Sequence, residues 1–255
     1  MRILMKMILM DLKRRTKDGF VLGYNIIFPI LMIILLGYLT SGNYGKHFTG
    51  YQYYSVVMLP FCIAMAMITA AYAGKDEAYK KTAVRFLFSP VSRIQIVLSK
   101  LISCALTICI CNLVVLIIAK LAFGLPADLG LIPIFLLLAS ETFAVCAAGL
   151  LIGLGMKNFI LIKNLLNIPI CLAAILAGSF YPIGTLNSRL ELVLKLSPLT
   201  WMNRSIFLFL YDNNLSLLWK TALIFFVTGL GLTLLAVTFF KKEEFIYGDL
   251  PGYEK

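Results

Sequence analysis

The sequence predicts an all-α membrane protein that crosses the bilayer six times, and its composition and hydropathy pattern are the observations behind this prediction. Of its 255 residues, 61% are hydrophobic and 14% are charged, whereas soluble domains carry about 25% charged residues. The mean hydropathy is +0.93. Charges are nearly absent from several runs of roughly 20 apolar residues, the length that a helix needs to span a bilayer. A soluble helical core would instead give shorter apolar runs with a polar stripe.

The first residues, 1–19, are predicted to form an amphipathic helix that lies along the membrane surface. At about 100° per residue, Arg2, Lys6, Lys13 and Lys17 fall within one narrow sector, and apolar side chains cover much of the rest. Charges continue to Lys17 and no small-residue cleavage site follows, which excludes a signal peptide. Such a helix can rest in the headgroup layer with its basic stripe toward water. A simple anchor to anionic lipids is the alternative interpretation.

Six apolar stretches are each predicted to be a transmembrane helix. Their approximate bounds are Phe20–Thr40, Tyr53–Ala73, Ile94–Phe123, Leu131–Met156, Phe159–Phe180 and Leu217–Phe240. Asn25, near the start of the first span, is expected to form a hydrogen bond to a neighbouring helix. Residues 181–216 are too polar for a simple span but contain apolar patches.

The distribution of Lys and Arg predicts the orientation. With six spans, one side of the membrane holds 17 of these residues and the loops of the other side hold four. Since cytoplasmic loops carry the excess of positive charge, both termini are expected in the cytoplasm. The net charge of +11 therefore reflects membrane topology, and no nucleic-acid partner is expected.

The segment between the second and third spans is strongly basic. Gly74–Lys100 carries six Lys or Arg residues against two acids. Pro90 should end a preceding helix, because the residue before a proline disfavours the α region, and Ser92 can cap the helix of the third span. The sequence thus predicts a short helix at about Glu77–Phe88, set at a fixed angle to a long one.

The sequence contains no pattern that would let the chain use ATP or catalyse a reaction. It has no GxxxxGK[ST] phosphate loop, no HExxH and no GxSxG, and its cysteines show no zinc spacing. Glu141 is the only acid at membrane depth, and two interpretations stay open. It can belong to a substrate path or subunit interface, or it can be a neutral carboxyl bonded to a neighbouring helix. Asn112 is the other intramembrane candidate, with hydrogen bonding between helices as its default role.

Two motifs, in order, show which family the chain resembles. After the second span come Asp76–Glu77, Lys81–Thr82, Pro90–Val91–Ser92–Arg93 and Ser99–Lys100. Before the last span come Gly178, Pro182, Pro198 and Arg204. Together with the amino-terminal helix and the six spans, these make nearly the whole chain similar to the membrane subunit of ABC-2 type exporters, which have the type V fold. Lys81 and Ser99 depart from the usual glycines, and Leu186–Asn187 stands where a second proline is common.

The resemblance implies a single transmembrane domain over residues 1–255. Its parts would be an interface helix (1–19), a cytoplasmic coupling segment (74–93) and re-entrant helices on the outer side (181–216). The coupling segment would contact a cytosolic ATPase through an apolar knob and flanking charges. The residues expected to serve this coupling are Glu77, Lys80, Lys81, Thr82, Arg85, Phe86, Leu87, Pro90 and Arg93. A basic loop that faces lipid is the alternative.

The resemblance also implies partners and a transported compound. Two cytosolic ATPase subunits would bind ATP and magnesium, while this chain would hold no cofactor or metal of its own. A second permease copy or a paralogue would complete the path through the plasma membrane, surrounded by lipid. The substrate would be amphiphilic: a drug, a peptide antibiotic, a lipid or a glycan. An ATP-independent secondary transporter or channel that uses Glu141 is the rival interpretation.

Overall fold

The computed structural model describes residues 2–45, 48–79, 82–83, 91–126, 130–156, 159–181, 194, 196–241 and 245–246. The helices are labelled here in chain order as α1 (Arg2–Arg15), α2 (Gly19–Leu22), α3 (Phe28–Leu39), α4 (Gly50–Tyr79), α5 (Arg93–Phe123), α6 (Ile132–Gly155), α7 (Phe159–Leu176), α8 (Pro198–Asp212) and α9 (Leu215–Thr238). A π-helical turn, Gly23–Ile27, joins α2 to α3, and a 3₁₀ turn, Ser41–Asn43, follows α3.

Among the described residues, five helical stretches are long and apolar enough to cross a membrane. They are Gly19–Leu39, Gly50–Ala78, Arg93–Phe123, Ile132–Gly155 and Leu215–Thr238. These confirm five of the six expected spans. The remaining one corresponds to α7, which has 18 residues and contains Pro169, and whose strongly apolar part is the shorter Asn164–Leu176. The six-span count stays a prediction at this helix.

The helix bundle has two opposite ends, and the end at which α1 lies is called the α1 end. There, Arg14 of α1 contacts Glu77 near the end of α4, and the backbone N–H of Lys241, just after α9, donates to the carbonyl of Leu154 in α6. At the opposite end, the Tyr53 hydroxyl donates to the carbonyl of Gly178, 2.8 Å away. Since α7 begins shortly after α6 ends and finishes just before Gly178, it runs from the α1 end to the opposite end.

Helices α4 and α6 approach so closely that glycine is required between them. A Cβ atom on Gly153 would lie 2.2 Å from the Ala71 carbonyl oxygen, and one on Gly149 would lie 2.4 Å from that of Met67. In a bilayer, where lipid competes with apolar side chains, small residues let helices gain van der Waals contact by bringing their backbones together. The α4–α6 pair therefore forms the centre of the packed bundle.

The first span is not a regular helix. Pro29 has no N–H to donate to the preceding turn, and the chain passes through the π turn Gly23–Ile27 just before it. Asn25 lies in that turn, and its side-chain amide donates to the Val21 carbonyl at 2.8 Å. The expected bond from Asn25 to a neighbouring helix was wrong, because this irregular turn supplies a carbonyl within the same segment.

The region before the last span contains a short helix that folds back onto α9. Helix α7 closes with Gly178 at φ 72°, in the left-handed region that favours glycine. Helix α8 has 15 residues, or about 22 Å, which is less than the roughly 30 Å of a bilayer core. Asn213, at φ 54°, turns the chain into α9. Residues 182–193 lie outside the described residues, so the re-entrant arrangement of 181–216 stays a prediction.

Candidate functional site

Helix α1 has two charged faces with opposite environments. Lys6, Lys13 and Lys17 of the predicted basic stripe are exposed; the side chain of Arg2 lies outside what the structure describes. On the face that packs against the protein, Asp11 is only 3% exposed and Arg15 only 5%. The helix therefore buries charged groups instead of the purely apolar face that a lipid anchor would show.

Arg14 links α1 to the end of α4. Its guanidinium donates to Asp11 at 3.0 Å, to Asp76 at 3.1 Å and to Glu77 at 2.9 Å. Burial lowers the pKa of Arg14, but the nearby carboxylates of Asp76, Glu77 and Asp11 outweigh it, and the net effect is a raised pKa. A planar guanidinium can hold several carboxylates at once because its N–H groups point in fixed, different directions.

Glu77 connects four segments of the chain. It accepts from Arg14 of α1, and it accepts a short hydrogen bond from the hydroxyl of Thr82, which follows α4. Its other neighbour is Lys100 of α5, whose ammonium lies 3.6 Å away and donates to the Ala73 carbonyl at 3.0 Å. The side chains of Glu77 and Lys100 are each only 2% exposed. Glu77 is thus an internal junction of α1, α4, α5 and the segment after α4.

These side chains form one charge-balanced group, here called the ionic cluster. Its members are Asp11, Arg14, Arg15, Asp76, Glu77 and Lys100. Three positive groups face three negative ones, so no net charge is buried. Removing one member of a buried ion pair leaves its partner uncompensated and typically costs about 3–5 kcal/mol. The cluster therefore holds α1 in one fixed position against α4 and α5.

The structure corrects the expected path of the segment Gly74–Lys100. We expected the chain to leave the bundle near Gly74 and to form a separate helix from about Glu77. Instead, α4 continues without a break to Tyr79, because Lys75 and Glu77 find buried partners inside the protein. The Lys75 ammonium is fully buried and donates to the Met156 carbonyl.

The remaining residues of the predicted coupling set divide into two groups. Thr82 contacts Glu77, and Arg93 is exposed at the first position of α5. Just before it, Ser92 forms the expected cap: Ser92 and Gln95 exchange side-chain to backbone hydrogen bonds in a capping box. The other members lie outside the described residues; they are Lys80, Lys81, Arg85, Phe86, Leu87 and Pro90.

Glu141 lies near the middle of α6 and lines a cavity inside the membrane-spanning part. The residue is 1% exposed, and its Oε2 atom is buried with no hydrogen-bond partner among the described residues. The cavity has a volume of about 340 Å³, and its other walls come from α4, α7, α8 and α9. A second cavity of about 310 Å³, lined by Trp201, shares Met67, Val145 and Phe225 with it. Apart from the Glu141 carboxyl group, the side chains that line the first cavity are apolar.

Asn112 has a structural contact and takes no part in this cavity. Its side-chain amide donates to the Thr142 hydroxyl at 3.2 Å, from α5 to α6. Such bonds between helices are the usual role of asparagine within a membrane. The bond is of the kind expected as the default role of Asn112, and a role of Asn112 as a site residue stays a prediction.

A family model for the ABC-2 type transporter matches residues 4–211 of the chain. The match includes most of α1, the ionic cluster, Glu141 and nearly all of α8. The chain belongs to the ABC-2 type transporter family. A search of curated proteins gave no match.

Family membership fixes the general role of this ABC-2 permease. It is a multi-pass membrane protein and the transport subunit of an ABC system, and it is not itself a catalytic ATPase. Members of the family generally pair with ABC ATPase subunits. The family prediction made from the two motifs is confirmed.

The second motif of the permease is distributed around the ends of α7 and α8. Gly178 ends α7, and Pro198 opens α8 at a position where no backbone donor is needed. Around them, Ser197 and Asn203 donate to the carbonyls of Ala173 and Ala177, which join α8 to α7. Of the two other residues of this motif, Arg204 is exposed on α8 and Pro182 lies outside the described residues.

Sequence reasoning missed half of the permease's ionic cluster. Asp11, Arg14 and Arg15 are missing from the sequence-based prediction, which names only the basic stripe of α1. A signal was available: at about 100° per residue, Asp11 and Arg15 lie opposite the stripe, on the face that an anchoring helix would bury in lipid, and Arg14 lies between the two faces. Charges there indicate a protein partner of opposite charge.

Proposed function

We propose that this permease is the membrane subunit of an ATP-driven exporter that works as a dimer with two separately made cytosolic ATPase subunits. The ionic cluster is the observation that carries the proposal. It joins α1, α4 and α5 at the position where the segment expected to meet an ATPase begins. A protein that only anchored α1 in lipid would not need to bury four charged groups and partly bury two more between these helices.

The path of the chain supports a cytoplasmic α1 end. Both α1 and Lys241 lie at this end, so the chain between them crosses an even number of times. With α7 counted as a crossing, the number would be six. The distribution of Lys and Arg residues, 17 against four by side, favours a cytoplasmic location for this end.

The cluster suggests how movement of an ATPase reaches the membrane. Glu77 accepts a hydrogen bond from Thr82, at the start of the segment that leads to the coupling residues, so a shift of that segment would act directly on Glu77. Arg14 and Lys100 hold Glu77 from two other helices. Because buried ion pairs break only at high cost, α1 and α5 would follow α4 as one unit. The tilt of this unit would open a path between the two protomers.

The contact with the ATPase is proposed to lie in residues 80–90. Phe86, Leu87 and Phe88 would insert into an apolar groove, while Lys80, Lys81 and Arg85 would meet acidic groups around it. ATP and magnesium would be bound by the ATPase. Glu77 and Thr82 would position this segment from inside and would not touch the partner themselves.

Co-purification tests the proposal. The full chain carrying Phe86→Asp should reach the membrane at the wild-type level but lose its ABC ATPase, because a charge cannot enter an apolar groove without a partner. Phe86→Leu is the matched control, since it keeps an apolar side chain, and it should retain the ATPase. The proposal fails if no ABC ATPase accompanies the wild-type permease. Normal recovery of the ATPase with Phe86→Asp would overturn the apolar contact.

Transport assays separate this proposal from a secondary transporter. Export into inverted vesicles should require ATP and stop when the ATPase carries a defective phosphate loop. Transport driven by an ion gradient in vesicles without ATP or ATPase, and lost in Glu141→Gln, would establish the rival mechanism instead.

A further inference from the structure

The Glu141 carboxyl group is a buried polar group without a complete set of partners. The polar side chains next to Glu141 in α6 already have partners: Thr142 accepts from Asn112 of α5, and Ser140 donates to the Leu137 carbonyl. The Oε2 atom remains unpaired within the described residues. Leaving a buried acceptor unsatisfied has a free-energy cost, because the group has lost its hydrogen bonds to water. A purely structural residue at this position would not carry that cost.

The cavity beside Glu141 favours a ligand that is mostly apolar and carries one strong hydrogen-bond donor group. Its polar surface comes from a single carboxyl group, and its walls include Met67, Val145, Ile170 and Phe225. Such walls bind hydrocarbon or ring systems through area removed from water. A carboxylate in these surroundings is best satisfied by a cation that also donates hydrogen bonds, because charge pairing then offsets the loss of hydration of both groups.

The first turn of α8 lies beside the same cavity as Glu141. Pro198 and Leu199, in the first turn of α8, line the same cavity, and a helix N-terminus favours a nearby negative charge. The adjoining cavity adds Trp201, Ile224 and Thr228, so that the two together provide room for a molecule larger than a simple alkylamine. Phe225, shared by both, and Trp201 add aromatic faces that attract cations.

We infer that the joined cavities form a binding site for a lipophilic amine, with its ammonium group on the Glu141 carboxylate and its apolar body along Val145 and Phe225. The inference rests on the proposed export function, because it names the chemical class of the compound carried. It makes Glu141 a ligand-binding residue, and it needs no proton gradient.

Binding of a fluorescent amine tests the inference without ATP. The full chain is purified in lipid nanodiscs together with any subunits that accompany it, and titrated with dansylcadaverine, which combines an apolar ring system with a primary ammonium. Its N-acetylated form is the neutral control and measures partition into lipid. The amine should give saturable binding at least about thirtyfold tighter than its acetylated form, as expected for loss of one partner of a buried charge pair.

Two variants assign the binding to this site. Glu141→Gln keeps the shape of the side chain and should weaken amine binding by a similar factor while leaving the acetylated compound unaffected. Val145→Phe fills the region shared by both cavities and should weaken amine binding although the carboxyl group is intact. Ser140→Ala, one residue from Glu141 and outside the cavity lining, is the control and should bind as wild type.

The outcomes distinguish this inference from the proposed function. Equal amine binding by wild type and Glu141→Gln overturns the inference, as does unchanged binding by Val145→Phe. If the amine fails to bind while an ABC ATPase still co-purifies, the inference falls and the exporter proposal stands. Absence of an ABC ATPase from the wild-type preparation would instead overturn the proposed exporter function, on which the inference rests.

Discussion

At the scale of single residues, Lys13 and Arg14 show how neighbouring cations can have unrelated roles. Lys13 is exposed to the exterior, whereas Arg14 contacts three carboxylates. Replacing either residue with glutamine removes one positive charge from α1. Since only Arg14 compensates buried acids, the two substitutions should differ greatly in their effect on the protein.

We predict that Arg14→Gln destabilises the permease by about 3–5 kcal/mol, the typical cost of breaking a buried ion pair. The measurement is the thermal unfolding midpoint of purified protein, together with its level in the membrane. Lys13→Gln, the matched control, should change the free energy of unfolding by less than about 1 kcal/mol. Equal midpoints for the two variants would show that the cluster does not stabilise α1.

The stabilisation from Arg14 should not vary with pH in the neutral range. Its pKa is raised in the folded protein, so its contribution is fully present below the pKa of the unfolded residue. It is lost only as the pH rises through the still higher pKa of the folded residue. In unfolding experiments between about pH 6 and 9, the difference between wild type and Arg14→Gln should therefore stay constant, since arginine stays protonated throughout that range. A difference that disappears toward pH 9 would contradict this assignment.

At the scale of helices, the contact between α4 and α6 depends on the absence of a side chain at Gly153. A Cβ atom there would lie 2.2 Å from a backbone oxygen of Ala71, and neither backbone can move without shifting the whole helix. We predict that Gly153→Ala costs about 1–3 kcal/mol, as overpacking in a tight core does. The thermal unfolding midpoint should fall accordingly.

Gly231→Ala in α9 is the control for this helix contact. A Cβ atom on Gly231 would meet nothing within 4 Å, and alanine favours a helix over glycine by up to about 1 kcal/mol. This variant should be as stable as wild type or slightly more so. If Gly153→Ala were equally harmless, the close approach of α4 and α6 would be wrong.

Local sequence signals predicted these helices better than they predicted the charged contacts between them. Ser92 and Gln95 form a capping box that depends only on neighbouring residues, and α5 begins where it should. The sequence predicts that the second span ends at Ala73, which is too early, because the charged residues Lys75 and Glu77 are typical of a loop when their partners are not known. Their burial depends on Arg14, Lys100 and the Met156 carbonyl. Partners so distant in sequence leave no periodic pattern.

At the scale of the whole molecule, hydropathy predicted the membrane class and six spans, five of which are confirmed, while Glu141 could be recognised only as an unusual acid. Its cavity is formed by five helices, and no sequence pattern states which faces of those helices meet. For the same reason the sequence left open whether Glu141 bonds to a neighbouring helix. The structure favours a ligand site because the Oε2 atom has no such bond among the described residues.

The number of crossings gives the last prediction, which concerns the sidedness of the whole chain. In a cysteine-free background, Ser41→Cys should react with a membrane-impermeant maleimide on intact cells, because Ser41 is exposed just after the first span. Lys17→Cys and Lys241→Cys, exposed at the α1 end, should react only after permeabilisation. Five crossings would instead place Lys17 and Lys241 on opposite sides, and only one of them would then be protected. Labelling of both residues on intact cells would indicate the opposite orientation, in which a cytosolic ATPase could not reach the α1 end.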